Sequence, residues 1–190
     1  MQTWQFEELK LKGAYKIAPF FAEDNRGGFL KDYQTELFEQ NGINFELKEV
    51  FYTLSRRGVL RGLHFQEPHQ QAKLVRCVSG KVYDVLVDLR PNSPTFKQWQ
   101  GFVLSAENMT ELLVPEGFAH GYLVLEDSIV SYKCNEKFYG ADDTGICYND
   151  ATLGVNWDFS QIGGVQNLIL SDKDKNLPTF AEWQSKHSQN

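Results

Sequence analysis

Two of the four histidines in this 190-residue chain, His64 in RGLHFQ and His120 in PEGFAHGY, lie in apolar, strand-like surroundings. An unperturbed imidazole titrates at about 6.5, so a neutral fraction able to accept a proton exists at neutral pH. A carboxylate behind such a base fixes its tautomer and stabilises the imidazolium that forms. Asp174 in SDKD and Asp84 in KVYDVLVDLR are the two candidates for that carboxylate, and spacing alone does not choose between them. The counterpart of a base is an acid, and Tyr132 in SIVSYKC, one of eight tyrosines, fits that role. Cations complete the set: Arg26 in DNRGG, Arg61 in VLRGLH, Lys73 in QAKLV, and Lys173. Arginine beside glycine suits a phosphate, because guanidinium offers paired donors and glycine lets the backbone approach closely.

The segment P-E-G-F-A-H follows the P-x-G-x-x-H pattern of the second cupin motif, and His64 stands where the first cupin motif begins an H-x-H metal pair. Gln66 occupies the second place of that pair, and an amide is a poor ligand for a transition metal. The residues therefore read as a cupin barrel that works through organic acids and bases, with no metal and no cofactor. His64 and His120 with a carboxylate would be the donor set of a metal-dependent alternative.

Strands must position these groups. From Phe45 to about Tyr132 the chain reads as short strands separated by Gly-bearing turns, among them Ser-Gly, Pro-Glu-Gly and Pro-Asn. This texture predicts an all-β sandwich or jelly roll, which avoids open sheet edges. The clearest strand is Lys81 to Arg90, where Val82, Asp84, Leu86, Asp88 and Arg90 alternate with Tyr83, Val85, Val87 and Leu89. The mixed face belongs in water in an open sheet, whereas in a barrel it lines a cavity. Alternation also puts Arg61 and His64 on opposite faces, so only a bulge or twist at Gly62 brings both to one pocket. Upstream, extended runs to Phe21 and from Gly28 to Tyr33 flank a polar turn, and TELFEQNG predicts a short helix capped by Thr35 and stopped by Gly42. The tail from Asp158 to Asn190 reads as polar and loop-like, with a helix start at SDKD.

Composition narrows the function class. With 19 basic and 25 acidic side chains the net charge is -6 and no basic stripe is visible, which argues against a nucleic-acid partner. The 42% hydrophobic and 14% aromatic content supports a full core in a single domain spanning residues 1–190. Three cysteines without C-x-x-C spacing point to a reducing compartment, and the charged N-terminal segment lacks the apolar stretch of a signal peptide. The expectation is a cytoplasmic protein with no membrane contact.

Taken together, DNRGGF, GVLRGLHFQ, KLVRCVSGKVYDVLVDLRPNSPTFKQW, VPEGFAHGYLVL, YKC, YND, LGVNW and LSDKD give a chain that resembles the dTDP-4-dehydrorhamnose 3,5-epimerase family of metal-free cupins. The matching segments run in order from Asp24 to Asp174. The resemblance implies a jelly-roll homodimer with short peripheral helices and exchanged N-terminal strands, acting without cofactor on a nucleotide-diphosphate sugar, a 4-keto-6-deoxyhexose. Carbons 3 and 5 both flank the ketone, so loss of either proton gives an enolate, and reprotonation from the other face inverts the centre. By motif position His64 is the base, Asp174 its partner and Tyr132 the acid, with Lys73 and His120 beside the keto oxygen and sugar. Arg61, and Arg26 from the partner subunit, are implied diphosphate clamps; Lys173 is a further contact.

Recognition positions depart from the family pattern. Lys31 stands where the family usually has a glutamate, and Glu49, Val50 and Phe51 replace its usual Q-D-N; near Asp143 the family glutamate is not cleanly matched. These substitutions raise the alternatives of another nucleotide such as CDP or GDP, a single-centre epimerase, or a sugar-binding cupin without catalysis.

Overall fold

The computed structural model describes residues 1–187, so the last three residues of the tail fall outside it. Eleven strands run in chain order: β1 (Gln5–Glu8), β2 (Tyr15–Ala18), β3 (Phe20–Asp24), β4 (Gly27–Lys31), β5 (Glu49–Ser55), β6 (Leu60–Gln66), β7 (Lys73–Asp88), β8 (Trp99–Ser105), β9 (Glu111–Val114), β10 (Phe118–Cys134) and β11 (Asp143–Gly145). Helix α1 (Thr35–Gln40) precedes β5, and α2 (Asp172–Lys175) and α3 (Phe180–His187) follow β11.

The two longest strands, β7 and β10, form the spine. They pair antiparallel from Phe118↔Asp88 to Cys134↔Lys73, and each half carries its own neighbours. The first part of β7 pairs with β9 and the second with β8; the first part of β10 pairs with β6 and the second with β5. A strand pair shared this way must bend, and the sheet folds into the two faces of a cupin-type jelly roll. The bend falls near Ser79-Gly80, which the sequence reads as a turn. Gly80 instead continues the strand at φ +75°, and a Cβ there would lie 2.1 Å from the Asp127 carbonyl oxygen. Only glycine fits that approach.

Strand β7 also stops at Asp88 rather than Arg90, because the Asp88 carboxylate folds the chain back on itself. It accepts hydrogen bonds from Arg90, Ser93 and Thr95. Its alternating faces are both covered. Val82 and Leu86 pack inside the barrel with Tyr122 and Val130, while Val85 and Val87 pack under Trp157, Ile162 and Phe180. The tail therefore packs apolar residues over the outer face, where its polar composition predicts a loop with a helix start at SDKD; that helix start is α2. At α1 the N-cap is Gln34, with Thr35 already helical, and Gly42 follows the C-cap at φ +74°.

The hairpin β3–β4 forms its own two-stranded sheet, joined to the rest of the described residues by an isolated bridge between Gln2 and Phe21. Arg26 lies at its tip.

Candidate active site

The site opens at one end of the barrel, and β6 supplies its centre. Gly62 takes φ +130° and packs against Gly121 of β10, so closely that a Cβ would come within 2.5 Å of the Gly121 Cα. The β6–β10 register shifts at this point, between His120 and Tyr122. This irregularity cancels the alternation that would separate Arg61 from His64, and both line one cavity of about 370 Å³.

His64 Nε2 lies 2.6 Å from Asp174 Oδ1. Asp174 comes from α2 and is buried; its second oxygen accepts from Ser171 Oγ at 2.6 Å, and Ser171 in turn caps the helix by accepting from the Asp174 amide. Burial works to raise the Asp174 pKa, but the hydrogen bonds from His64 and Ser171 outweigh it and hold the carboxyl below its usual range. An ionised Asp174 keeps the proton on His64 Nε2 and leaves Nδ1 as the basic nitrogen.

Asp84 serves the other histidine. His120, 3% exposed, directs Nε2 to both oxygens of the fully buried Asp84 at 2.9 Å. The mixed face of β7 thus points into the barrel. The His120 ring stands edge-on to Tyr132, with centroids 5.9 Å apart.

Tyr132 is buried in the cavity wall and stacks on Phe51 at 4.7 Å, nearly parallel. Burial, with the neighbouring Tyr122 next, raises its pKa well above the usual phenol value, so it holds its proton as an acid must. Tyr122 is fixed by a 2.7 Å hydrogen bond with Thr53.

Lys73 contributes a charge without a partner. It is 8% exposed and lines the cavity, and its Nζ makes no hydrogen bond or ion pair with the described residues. Burial lowers its pKa, although Cys134, Asp143 and Asp84 pull the other way. A buried ammonium facing a cavity is suited to negative charge that develops on a bound molecule. Arg61 is anchored to Ser55 Oγ through Nε at 2.9 Å, with its terminal nitrogens unengaged by the described residues. At the rim, Lys173 and Asp143 form an ion pair, and Lys173 also donates to the Asp143 carbonyl at 3.2 Å.

The cavity brings together His64, Tyr132, Lys73, Asp174, His120, Arg61, Phe51, Asp143 and Lys173. Glu49 stands outside it and accepts from the Phe138 amide at 2.8 Å. Arg26 and Lys31 also stand apart, on the hairpin, where Arg26 is 86% exposed at its side chain and paired with Asp24. Sequence reading missed Thr53, Gln71, Phe138 and Ser171. Ser171 had a signal, as the cap before D-K-D; Phe138 sits in a loop with no periodicity to mark it. Among the described residues no group of three or more His, Cys, Asp or Glu is placed to hold a metal ion.

A family model described as dTDP-4-dehydrorhamnose 3,5-epimerase matches residues 8–182. The chain belongs to that family. A curated dTDP-4-dehydrorhamnose 3,5-epimerase from Methanothermobacter thermautotrophicus is 43% identical over 183 residues, covering 96% of this chain and 97% of the relative. The crystal structure of the family member from Elizabethkingia anophelis superposes with a TM-score of 0.87 at 40% identity, covering 94% of this chain and 97% of that one. An epimerase from Legionella pneumophila in complex with dTDP-4-keto-L-rhamnose gives a TM-score of 0.90 at 33% identity, covering 97% and 96%. The family's members are epimerases, a class of isomerase acting on carbohydrates, and its jelly roll is the one described above.

Proposed function

We propose that this protein inverts carbons 3 and 5 of a dTDP-linked 4-keto-6-deoxyhexose by proton removal and return on opposite faces. The observation that carries this reading is one cavity lined by a carboxylate-backed histidine, a buried tyrosine and an unpaired lysine. His64 Nδ1 takes the proton from the carbon beside the ketone, and the electron pair of that C–H bond moves to the keto oxygen as an enolate. Lys73 lies ready to stabilise the oxygen's charge. Tyr132 then gives its proton to the opposite face of the carbon, while the enolate pair returns to form the new C–H bond. The phenolate regains a proton, and His64 gives its own to solvent. The net change is stereochemical.

A dimer fits the surface. Val50, Tyr52 and Leu54 of β5 are 47%, 57% and 71% exposed, and the hairpin β3–β4 stands off the chain's own sheet. A second copy laying that hairpin along β5 would bring Arg26 toward the cavity rim to meet the diphosphate, with Lys31 on the same hairpin toward the nucleotide. No helix among the described residues is long and apolar enough to cross a membrane, and the reading is of a cytoplasmic enzyme without nucleic-acid partners. The deciding experiment runs purified protein with 4-keto-6-deoxyhexoses linked to dTDP, CDP and GDP in heavy water. Deuterium at both carbons with dTDP preferred supports the proposal; label at one carbon indicates a single-centre epimerase, and no label with any substrate removes the function.

A further inference from the structure

Gln66 fills the place of the absent second motif histidine, yet its side chain does not reach for a ligand. It is 3% exposed in the cavity wall, and its amide is engaged on both atoms, by the loop between β10 and β11 and by His69 in the connection from β6 to β7. Nε2 donates to the Lys137 carbonyl at 3.1 Å and to the His69 carbonyl at 2.8 Å, while Oε1 accepts from the Tyr139 amide at 2.8 Å. Residues 136–138 make no backbone-to-backbone hydrogen bond with the described residues. Their main chain is held by side chains instead: Gln66 on either side of Phe138, Glu49 at the Phe138 amide, and Gln71 at the Glu136 carbonyl. The ring they present, Phe138, is 52% exposed and forms part of the cavity.

We infer that Gln66 is a positioning residue, which sets the Phe138 loop against the cavity and acts on substrate binding through it. A half-exposed loop without sheet hydrogen bonds takes its place from such side-chain contacts, because peptide groups without a protein partner turn to water instead. A histidine at position 66 has no carbonyl oxygen and could not donate to two carbonyls while accepting from an amide. This inference rests on the cavity being the substrate site.

The test compares wild type with Gln66→Met, which keeps length but no polar atoms, and Gln66→Glu, which keeps the acceptor for Tyr139 and loses both donated bonds. Backbone amide exchange in residues 137–139 is expected to rise about tenfold in Gln66→Met and also to rise in Gln66→Glu, whose second carboxylate oxygen faces the His69 and Lys137 carbonyls, with β7 and β10 unchanged. KM for the sugar nucleotide is expected to rise about tenfold with kcat within about twofold, and Phe138→Ala with Gln66→Met is expected to match Phe138→Ala alone. Unchanged exchange in 137–139, a fall in kcat at constant KM, or additive effects in the double variant would overturn the inference. If wild type turns over no sugar nucleotide, the functional reading fails, and the exchange measurement still decides whether Gln66 holds the loop.

Discussion

His64 and His120 face each other across β6 and β10 as register partners, yet each is bound to a different carboxylate, His64 to Asp174 and His120 to Asp84. The difference in exposure separates their roles. The His64 side chain is 27% exposed, whereas His120 in the cavity wall is 3% exposed and Asp84 behind it is fully buried. A proton carrier must exchange with solvent, and His64 alone of the pair has that access.

Replacing Asp174 by Asn removes the negative charge that holds the proton on His64 Nε2 and offers that nitrogen an amide NH2 donor in its place. Turnover is expected to fall about 10²- to 10⁴-fold, the range for loss of general-base function, and His64→Ala is expected to fall at least as far. Steady-state kinetics on both variants checks this. Comparable activity in Asp174→Asn and wild type would exclude the Asp174 charge from the proton transfer.

Tyr132→Phe keeps the base and loses the acid. The variant is expected to exchange the substrate proton for deuterium with retained configuration, while forming the inverted product far more slowly. Mass and proton spectra of recovered sugar nucleotide distinguish the two, and normal inversion would exclude Tyr132 as the acid.

Lys73→Met removes the unpaired charge. Its partner develops only as the enolate forms, so kcat is expected to drop about 10²- to 10³-fold with little change in KM. A raised KM at constant kcat would place Lys73 in ground-state binding instead.

Glu111 offers a stability test away from the site. It is fully buried in β9 and neither carboxylate oxygen accepts a hydrogen bond; Lys133 Nζ at 3.6 Å and Arg76 Nε at 4.0 Å are too distant. Burial raises its pKa from 4.5 to about 8 against the pull of Lys133. Between those values the unfolded chain has released a proton that the folded chain still holds, so stability falls as pH rises through the window and levels off above it. The loss from pH 6 to pH 8 is about 2 kcal/mol. Glu111→Gln is expected to flatten that dependence and to raise Tm most at pH 8. Thermal unfolding at several pH values measures it, and a Tm lowered at pH 8 would mean that Glu111 is ionised and stabilising.

The exposed row on β5 gives a simple assembly test. Leu54→Asp puts a charge in the face proposed to receive the partner's hairpin, and light scattering is expected to show a shift toward monomer with weaker substrate binding. A wild-type mass equal to one chain would remove the dimer.

By itself the sequence determined the fold class and the chemical cast. Strand-length apolar runs broken by glycine turns specify a β-barrel, and His64, Tyr132 and Lys73 are residue types whose acid–base properties are intrinsic. The sequence left other matters undecided because they depend on register and burial. Alternation kept Arg61 from His64, and only the contact between Gly62 and Gly121 with its shifted pairing brings them together. Spacing could not choose between Asp84 and Asp174, since one lies on the spine and the other on a four-residue helix 90 positions later. Gln66 read as a missing ligand until the loop around Phe138 closed over it. Each of these outcomes is a long-range contact, and a contact between distant residues is set by how the strands bend and stack, which no local pattern encodes.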